Sequence, residues 1–346
     1  MNAVKIGNRE ISKDSPPLVI AEAGINHEGD FKKAMALVDA AKRAGAECIK
    51  FQCHITEKEM IPTDMKPGKI SDEKLWDIIK RCELTEEEEI KTKQYCEEKG
   101  IIYLSTPFSR EAADRLEKMG VTAFKIGSGE CNNIPLIDHI AKKGKPIILS
   151  TGMNDISSIG KSVEVLKRHK VPFMLMHCVS MYPVPYERLR LKAIVQLQEK
   201  FGVPVGLSDH SLGIYACLGA VALGAAALEK HFTISRSWPG PDTSLSIEPQ
   251  ELKELVVGAK AIWQALEGKK EIQPEEKPVI DFAYASVVTI KPVKKGQILS
   301  LDNLWVKRPG TGDFIGEELY TLLGKTVTRN LSVDVQLKKE DVVWQQ

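Results

Sequence analysis

The run Leu18-Val19-Ile20-Ala21-Glu22 is followed by Phe31, Ala34, Met35, Val38 and Ala41, and then by Cys48-Ile49-Lys50-Phe51-Gln52. Short apolar, partly β-branched runs have the character of buried strands, and apolar residues three or four apart make one face of a helix. The same alternation recurs along the chain, with further strands predicted over Ile101 to Ser105, Ala123 to Ile126, Pro146 to Ser150, Phe173 to His177, Pro204 to Ser208 and Ala226 to His231. Strands joined by crossover helices make a parallel sheet, and eight such units in roughly 250 residues suit an α/β fold of the closed (β/α)8 (TIM) barrel type. A doubly wound sheet is the competing architecture. It needs fewer strands, and Gly127-Ser128-Gly129-Glu130 lacks the third glycine of its usual dinucleotide fingerprint.

The pattern changes near Gly268. Lys269-Lys270-Glu271-Ile272-Gln273-Pro274-Glu275-Glu276-Lys277-Pro278 is charged and proline-punctuated, which predicts a linker. Beyond it, Ser286 to Ile290, Gln297 to Leu299 and Asn303 to Val306 read as short strands of a small β-rich module. The expected division is a barrel over 1–268, a linker over 269–282 and the module over 283–346.

With 48 Lys+Arg against 47 Asp+Glu in 346 residues, the chain has no general field for gathering nucleic acid or anionic lipid. The amino end lacks the apolar run of a signal peptide, and the longest apolar stretch, Ala216 to Leu228, is too short to span a bilayer. Seven widely spaced cysteines without a CxxC pair suit reduced thiols, so a cytoplasmic protein is expected.

In a parallel barrel, function collects where strands end, and here nearly every predicted carboxyl end carries a polar side chain that a core strand does not need. The set is Glu22, Lys50 with Gln52, Thr106, Lys125 with Ser128, Ser150, His177, Ser208 with His210, and Glu229 with His231. Residues two apart on a strand share a face, so these pairs converge if their faces point inward. His210 and His231 end neighbouring strands, where two neutral imidazoles suit an exchangeable divalent ion, or alternatively a pair of structural hydrogen bonds. Lys50 and Lys125, with Thr106, Ser128, Ser150 and Ser208, suit an anionic ligand. Singly, such hydroxyls also serve as helix caps, and Schiff-base chemistry is a further reading of Lys125. Glu22, Gln52, Glu130, Tyr182, Glu229 and Asp242 suit sugar hydroxyls, proton transfer or structural hydrogen bonds, which spacing alone does not separate. His27, in the first strand-to-helix loop, suits the mouth of the barrel or equally a solvated loop; His54, His139 and His169 join no constellation.

The ordered combination of Ala21-Glu22-Ala23-Gly24-Ile25-Asn26-His27, Lys50-Phe51-Gln52, Ser105-Thr106-Pro107-Phe108, Lys125-Ile126-Gly127-Ser128-Gly129-Glu130, Ser150-Thr151-Gly152-Met153, Leu207-Ser208-Asp209-His210 and Glu229-Lys230-His231-Phe232-Thr233 resembles the sialic acid synthase family. The resemblance also takes in Tyr182-Pro183, Gly240-Pro241-Asp242 and Lys307-Arg308-Pro309-Gly310, so it spans the chain. It implies a barrel joined to an antifreeze-like (SAF) domain in a domain-swapped homodimer. The implied reaction condenses phosphoenolpyruvate with N-acetylmannosamine and water to N-acetylneuraminate and phosphate, assisted by a divalent metal, Mn2+ before Mg2+ or Co2+. By the same resemblance His210 and His231 hold the metal, while Lys50, Thr106, Lys125, Ser128, Ser150 and Ser208 hold phosphoenolpyruvate. Gln52, Tyr182 and Asp242 face the sugar, with Arg308 reaching its N-acyl group in the partner subunit's site. Glu22, Glu130 and Glu229 are the candidates for catalytic carboxylates.

Two departures bear on the substrate. Pro67-Gly68-Lys69-Ile70-Ser71 and Ser180 stand where close bacterial N-acetylneuraminate synthases carry sugar-facing asparagines. A 2,4-diacetamido sugar leading to legionaminic or pseudaminic acid is therefore the alternative substrate, whereas Gly129-Glu130-Cys131-Asn132-Asn133 resembles the N-acetylneuraminate branch. A metal-dependent aldolase using free pyruvate, and a binding protein acting through its carboxyl-terminal module, are the readings from other classes.

Overall fold

The computed structural model describes residues 3–68 and 71–344. Two compact units divide between Glu267 and Gly268. In the first, a hairpin of β1 (Val4–Ile6) and β2 (Arg9–Ile11) precedes eight strands: β3 (Leu18–Gly24), β4 (Cys48–Cys53), β5 (Ile102–Pro107), β6 (Phe124–Ile126), β7 (Ile147–Ser150), β8 (Phe173–Cys178), β9 (Val205–Asp209) and β10 (Ala227–His231). These eight run parallel in the order β5-β4-β3-β10-β9-β8-β7-β6, and β5 packs beside β6, so the sheet curls into the nearly closed barrel that the alternation predicts.

Strand alternation sorts the side chains into two layers. Val19, Ala21, Ile49, Phe51, Leu149 and Leu175 face outward and are covered by the helices. The helix Phe31–Arg43, for example, starts where Asp30 accepts from the amides of Lys32 and Lys33, and it buries Ala34, Leu37, Val38, Ala40 and Ala41. Leu18, Ile20, Cys48, Leu104, Ile148, Met174 and Met176 fill the inside. The hairpin β1–β2, not foreseen from sequence, adds Val4, Ile6 and Ile11 to this inner cluster at the ends where the barrel strands begin.

Each inner row starts apolar and ends polar. Leu18 and Ile20 lead to Glu22, Cys48 to Lys50, Leu104 to Thr106, Ala123 to Lys125, Ile148 to Ser150, and Ala227 to Glu229 and His231. The closed, apolar half of the barrel thus sets the depth of the polar half.

In the second unit, β11 (Ser286–Thr289) and β12 (Leu304–Lys307) pair antiparallel over a core that includes Val287, Val293, Leu299, Leu304, Phe314 and Leu322. The strand expected over Gln297 to Leu299 does not form. Its amide at Gln297 closes a turn onto the Lys294 carbonyl, and only one isolated bridge, Ile298 to Thr326, remains. The proline-punctuated stretch holds a 3-10 turn, Pro274–Glu276, and a helix, Lys277–Ala283. Its prolines fall in the first turns, where a missing N–H leaves no bond unmade. No helix of the described residues is long and apolar enough to cross a membrane.

Candidate active site

The polar ends of the inner rows meet at the carboxyl-end mouth of the barrel. Lys50 Nζ lies 2.8 Å from Glu22 Oε2 and 3.7 Å from Glu229 Oε1, and it donates to Thr106 Oγ1 at 3.2 Å. Lys125 Nζ lies 3.5 Å from the same Glu229 oxygen and donates to Ser150 Oγ at 2.7 Å. Ser208 Oγ donates to Glu229 Oε1 at 3.1 Å. Register explains the grouping, since Glu22 pairs with Lys50 across β3 and β4, and Glu229 with Ser208 across β10 and β9. Gly24 lies at a register shift in β3 with φ +53°, and a Cβ there would come within 3.3 Å of Glu22 Oε1. The left-handed backbone and that close approach both favour glycine.

Two ammonium groups and two carboxylates share this buried pocket, so solvent screens their interactions little. Burial draws Lys50 down, but Glu22 and Glu229 outweigh it and hold its ammonium above the ordinary value. Lys125 is held below its ordinary value, first by burial and also by Lys50. Burial pushes the Glu22 carboxyl up to about 7, whereas Lys125 and Lys50 overcome burial at Glu229 and keep it low. The pocket therefore carries one firmly ionised carboxylate and one whose proton is easily exchanged near neutrality.

The two histidines adjoin this group, with ring centroids 5.3 Å apart and the Tyr182 ring centroid 4.1 Å from that of His210, tilted by 32°. His210 Nδ1 is 3.0 Å from the Val179 carbonyl, which sets it as donor and, in the neutral ring, leaves Nε2 with its lone pair. His231 Nδ1 is buried without a hydrogen-bond partner among the described residues, and Asp242 Oδ2 stands 3.8 Å away. Burial holds the His231 imidazole neutral and pushes the Asp242 carboxyl up. One spare lone pair and one unpartnered buried nitrogen fit a divalent ion. Among the described residues no group of three or more His, Cys, Asp and Glu is arranged around a common metal position.

The remaining expected residues are not all brought to this centre. Ser128 Oγ accepts the Gly152 amide at 3.0 Å, and Glu130 accepts from Asn133 at 2.6 Å, its carboxyl raised by burial. Ser180 Oγ is buried without a partner among the described residues, beside a cleft of about 580 Å3 that Met153, Asn154 and Met181 also line. Lys69 and Ile70 of the other departure lie outside the described residues. His177 faces the outer layer and bonds the Leu189 carbonyl at 2.7 Å. Arg308 belongs to the second unit, where it lines a cleft with Lys307, Asp334 and Gln336. A further cleft, about 560 Å3, lies at the opposite end of the barrel, but its Arg9 pairs with Glu47 and its Lys42 with the Gly100 carbonyl.

Sequence reasoning passed over His54. In the fold it stands next to Gln52 in space as well as in sequence, with Nε2 2.9 Å from Gln52 Oε1 and Nδ1 2.9 Å from Glu59 Oε1. The two-residue offset from Gln52 was the available signal; Glu59 comes into reach only through the turn after β4.

Comparison with known proteins matches the NeuB family over residues 37–271 and the SAF domain over residues 284–343. The chain is 44% identical to an uncharacterized protein of Methanocaldococcus jannaschii, over 90% of each chain. It is 38% identical to the N,N'-diacetyllegionaminic acid synthase of Campylobacter jejuni, over 93% of this chain and 99% of that one. Among solved structures, the N-acetylneuraminic acid (sialic acid) synthetase of Leptospira borgpetersenii superposes with a TM-score of 0.73 at 37% identity, covering 81% of this chain and 95% of that one.

Proposed function

The chain belongs to the NeuB family and carries a SAF domain, and on that premise we propose that it condenses phosphoenolpyruvate with the open-chain aldehyde of a 2-acetamido sugar. The observation that carries this reading is the pair of buried ammonium groups, Lys50 and Lys125, set around Glu229 beside two imidazoles. A dianionic phosphate ester gives those charges a purpose that apolar packing does not. The enol carbon of phosphoenolpyruvate bonds to the aldehyde carbon, whose oxygen takes a proton. Water adds at the electron-deficient pyruvyl carbon that this leaves, its protons passing to the new hydroxyl and to phosphate, and phosphate departs with carbon–oxygen cleavage as the ketone forms.

In this reading Lys50 and Lys125, with Thr106, Ser128, Ser150 and Ser208, clamp the phosphate and carboxylate. Glu22 exchanges the proton of the aldehyde oxygen, Glu130 and Glu229 are the further carboxylates of the mouth, and Gln52, Tyr182 and Asp242 orient the sugar. His210 and His231 are the residues that would hold a divalent ion, Mn2+ before Mg2+ or Co2+, which supplies Lewis-acid polarisation of the sugar carbonyl. Two copies form a domain-swapped dimer in which Arg308 serves the partner's site. The buried free cysteines support a reducing, cytoplasmic location.

The first sugar proposed is N-acetylmannosamine, supported by the Gly129 to Asn133 stretch and the Leptospira synthetase. A 2,4-diacetamido-2,4,6-trideoxy sugar, giving legionaminic or pseudaminic acid, is the second, supported by the short Ser180 side chain beside the cleft and by the Campylobacter synthase. Phosphate release from phosphoenolpyruvate with each sugar, in Mn2+ and in EDTA, tests both readings. Release with the first sugar alone is expected, release with the second alone moves the substrate, and none with either overturns the reaction. An aldolase using free pyruvate releases no phosphate in the same assay.

A further inference from the structure

A glutamine amide is nearly symmetric in shape but not in function: turning it over exchanges an acceptor for a donor, so its neighbours decide how it stands. Gln52 has a strong neighbour on each side. Its Nε2 donates to Glu22 Oε1 at 3.2 Å, and its Oε1 lies 2.9 Å from His54 Nε2. His54 Nδ1 in turn lies 2.9 and 3.0 Å from the two oxygens of Glu59, at the end of the short helix Thr56–Glu59. The imidazole is buried and stacked on Phe108 at 4.5 Å. Both ring nitrogens thus face oxygen atoms, Nε2 that of Gln52 and Nδ1 those of Glu59.

We propose that His54 and Glu59 form a positioning pair that locks the Gln52 amide with its NH2 group toward Glu22. Were the amide turned over, its oxygen would face the Glu22 carboxylate and the His54 N–H would face an NH2 group. The pair makes that inversion costly at both ends. A buried His–Glu pair is a poor way to fill space beside Phe108, where an apolar ring packs at least as well. Its use is orientational. His54 acts through Gln52 and touches no substrate; the consequence for the sugar rests on the reading that Gln52 faces it.

Two measurements on the full chain test this. With 15N-labelled histidine, and His54 assigned by its loss in His54→Phe, the Nε2 of His54 is expected to carry a proton, as the donor to Gln52 Oε1. A wild-type His54 with a bare Nε2 overturns the pair. In kinetics, His54→Phe, which keeps the stack, is expected to lower kcat/KM for the sugar about tenfold or more, the scale of a misplaced orienting group. The KM for phosphoenolpyruvate should stay within about twofold, and on a Gln52→Ala background the same substitution should cost almost nothing further. An equal loss on both backgrounds overturns the route through Gln52. If the wild-type chain releases no phosphate with any sugar, the functional reading falls, and the nitrogen protonation still decides the pair by itself.

Discussion

Asp209 and Lys230 carry opposite charges with no exposed side-chain surface, their Oδ2 and Nζ 2.7 Å apart on the outward rows of β9 and β10. Asp209 also accepts the amide and hydroxyl of Ser211, each at 2.9 Å. Lys230→Met should lower unfolding free energy in urea by about 3 to 5 kcal/mol, because it strands a buried carboxylate; adding Asp209→Leu should restore most of it. His27 supplies a pH test. Burial, then the charge of His54, pushes its imidazole down to about 4, while an unfolded histidine titrates near 6.5. The stability that comes from keeping it neutral is complete above about pH 6.5 and is lost as pH falls toward 4, by roughly 3 kcal/mol at the lower end. His27→Gln should flatten that part of the slope in urea midpoints taken between pH 7.5 and 4.5. Residues such as Glu22, Lys50 and Glu229 were legible in the sequence because a charge at the end of an apolar run has no packing reason to be there. The His54–Glu59 and Asp209–Lys230 pairs were not, since each depends on which side chains a turn or a neighbouring strand brings within 3 Å.

At the scale of elements, the barrel strands were legible because burial on both faces writes them as apolar runs between helical periods. The hairpin β1–β2 was not, because each arm is three residues long and its polar positions face out. The failed strand at Gln297 to Leu299 shows the converse: three residues with a strand-like look go wherever the adjacent turns send them. Close packing inside the barrel makes its own prediction at Gly206 on β9, where a Cβ would stand 2.4 Å from the Ala227 carbonyl oxygen and 2.6 Å from Met176 Sδ. Gly206→Ala should therefore destabilise by about 1 to 3 kcal/mol, seen as a lowered Tm, although alanine is the smallest change available.

For the whole molecule, the run 264–279 is exposed throughout and joins two units with separate cores. Brief trypsin treatment should cut first after Lys269 or Lys270, since Lys277 is followed by Pro278, and mass spectrometry should find two fragments meeting there. All seven cysteines are free, buried and confined to the first unit, spread over β4, β8, three helices and the turn before Ile134. A thiol-alkylating reagent in excess therefore finds nothing to react with until some part of the barrel wall opens. The chain carries seven built-in stopwatches, each timing the breathing of the strand, helix or turn that holds it, while the second unit keeps silent.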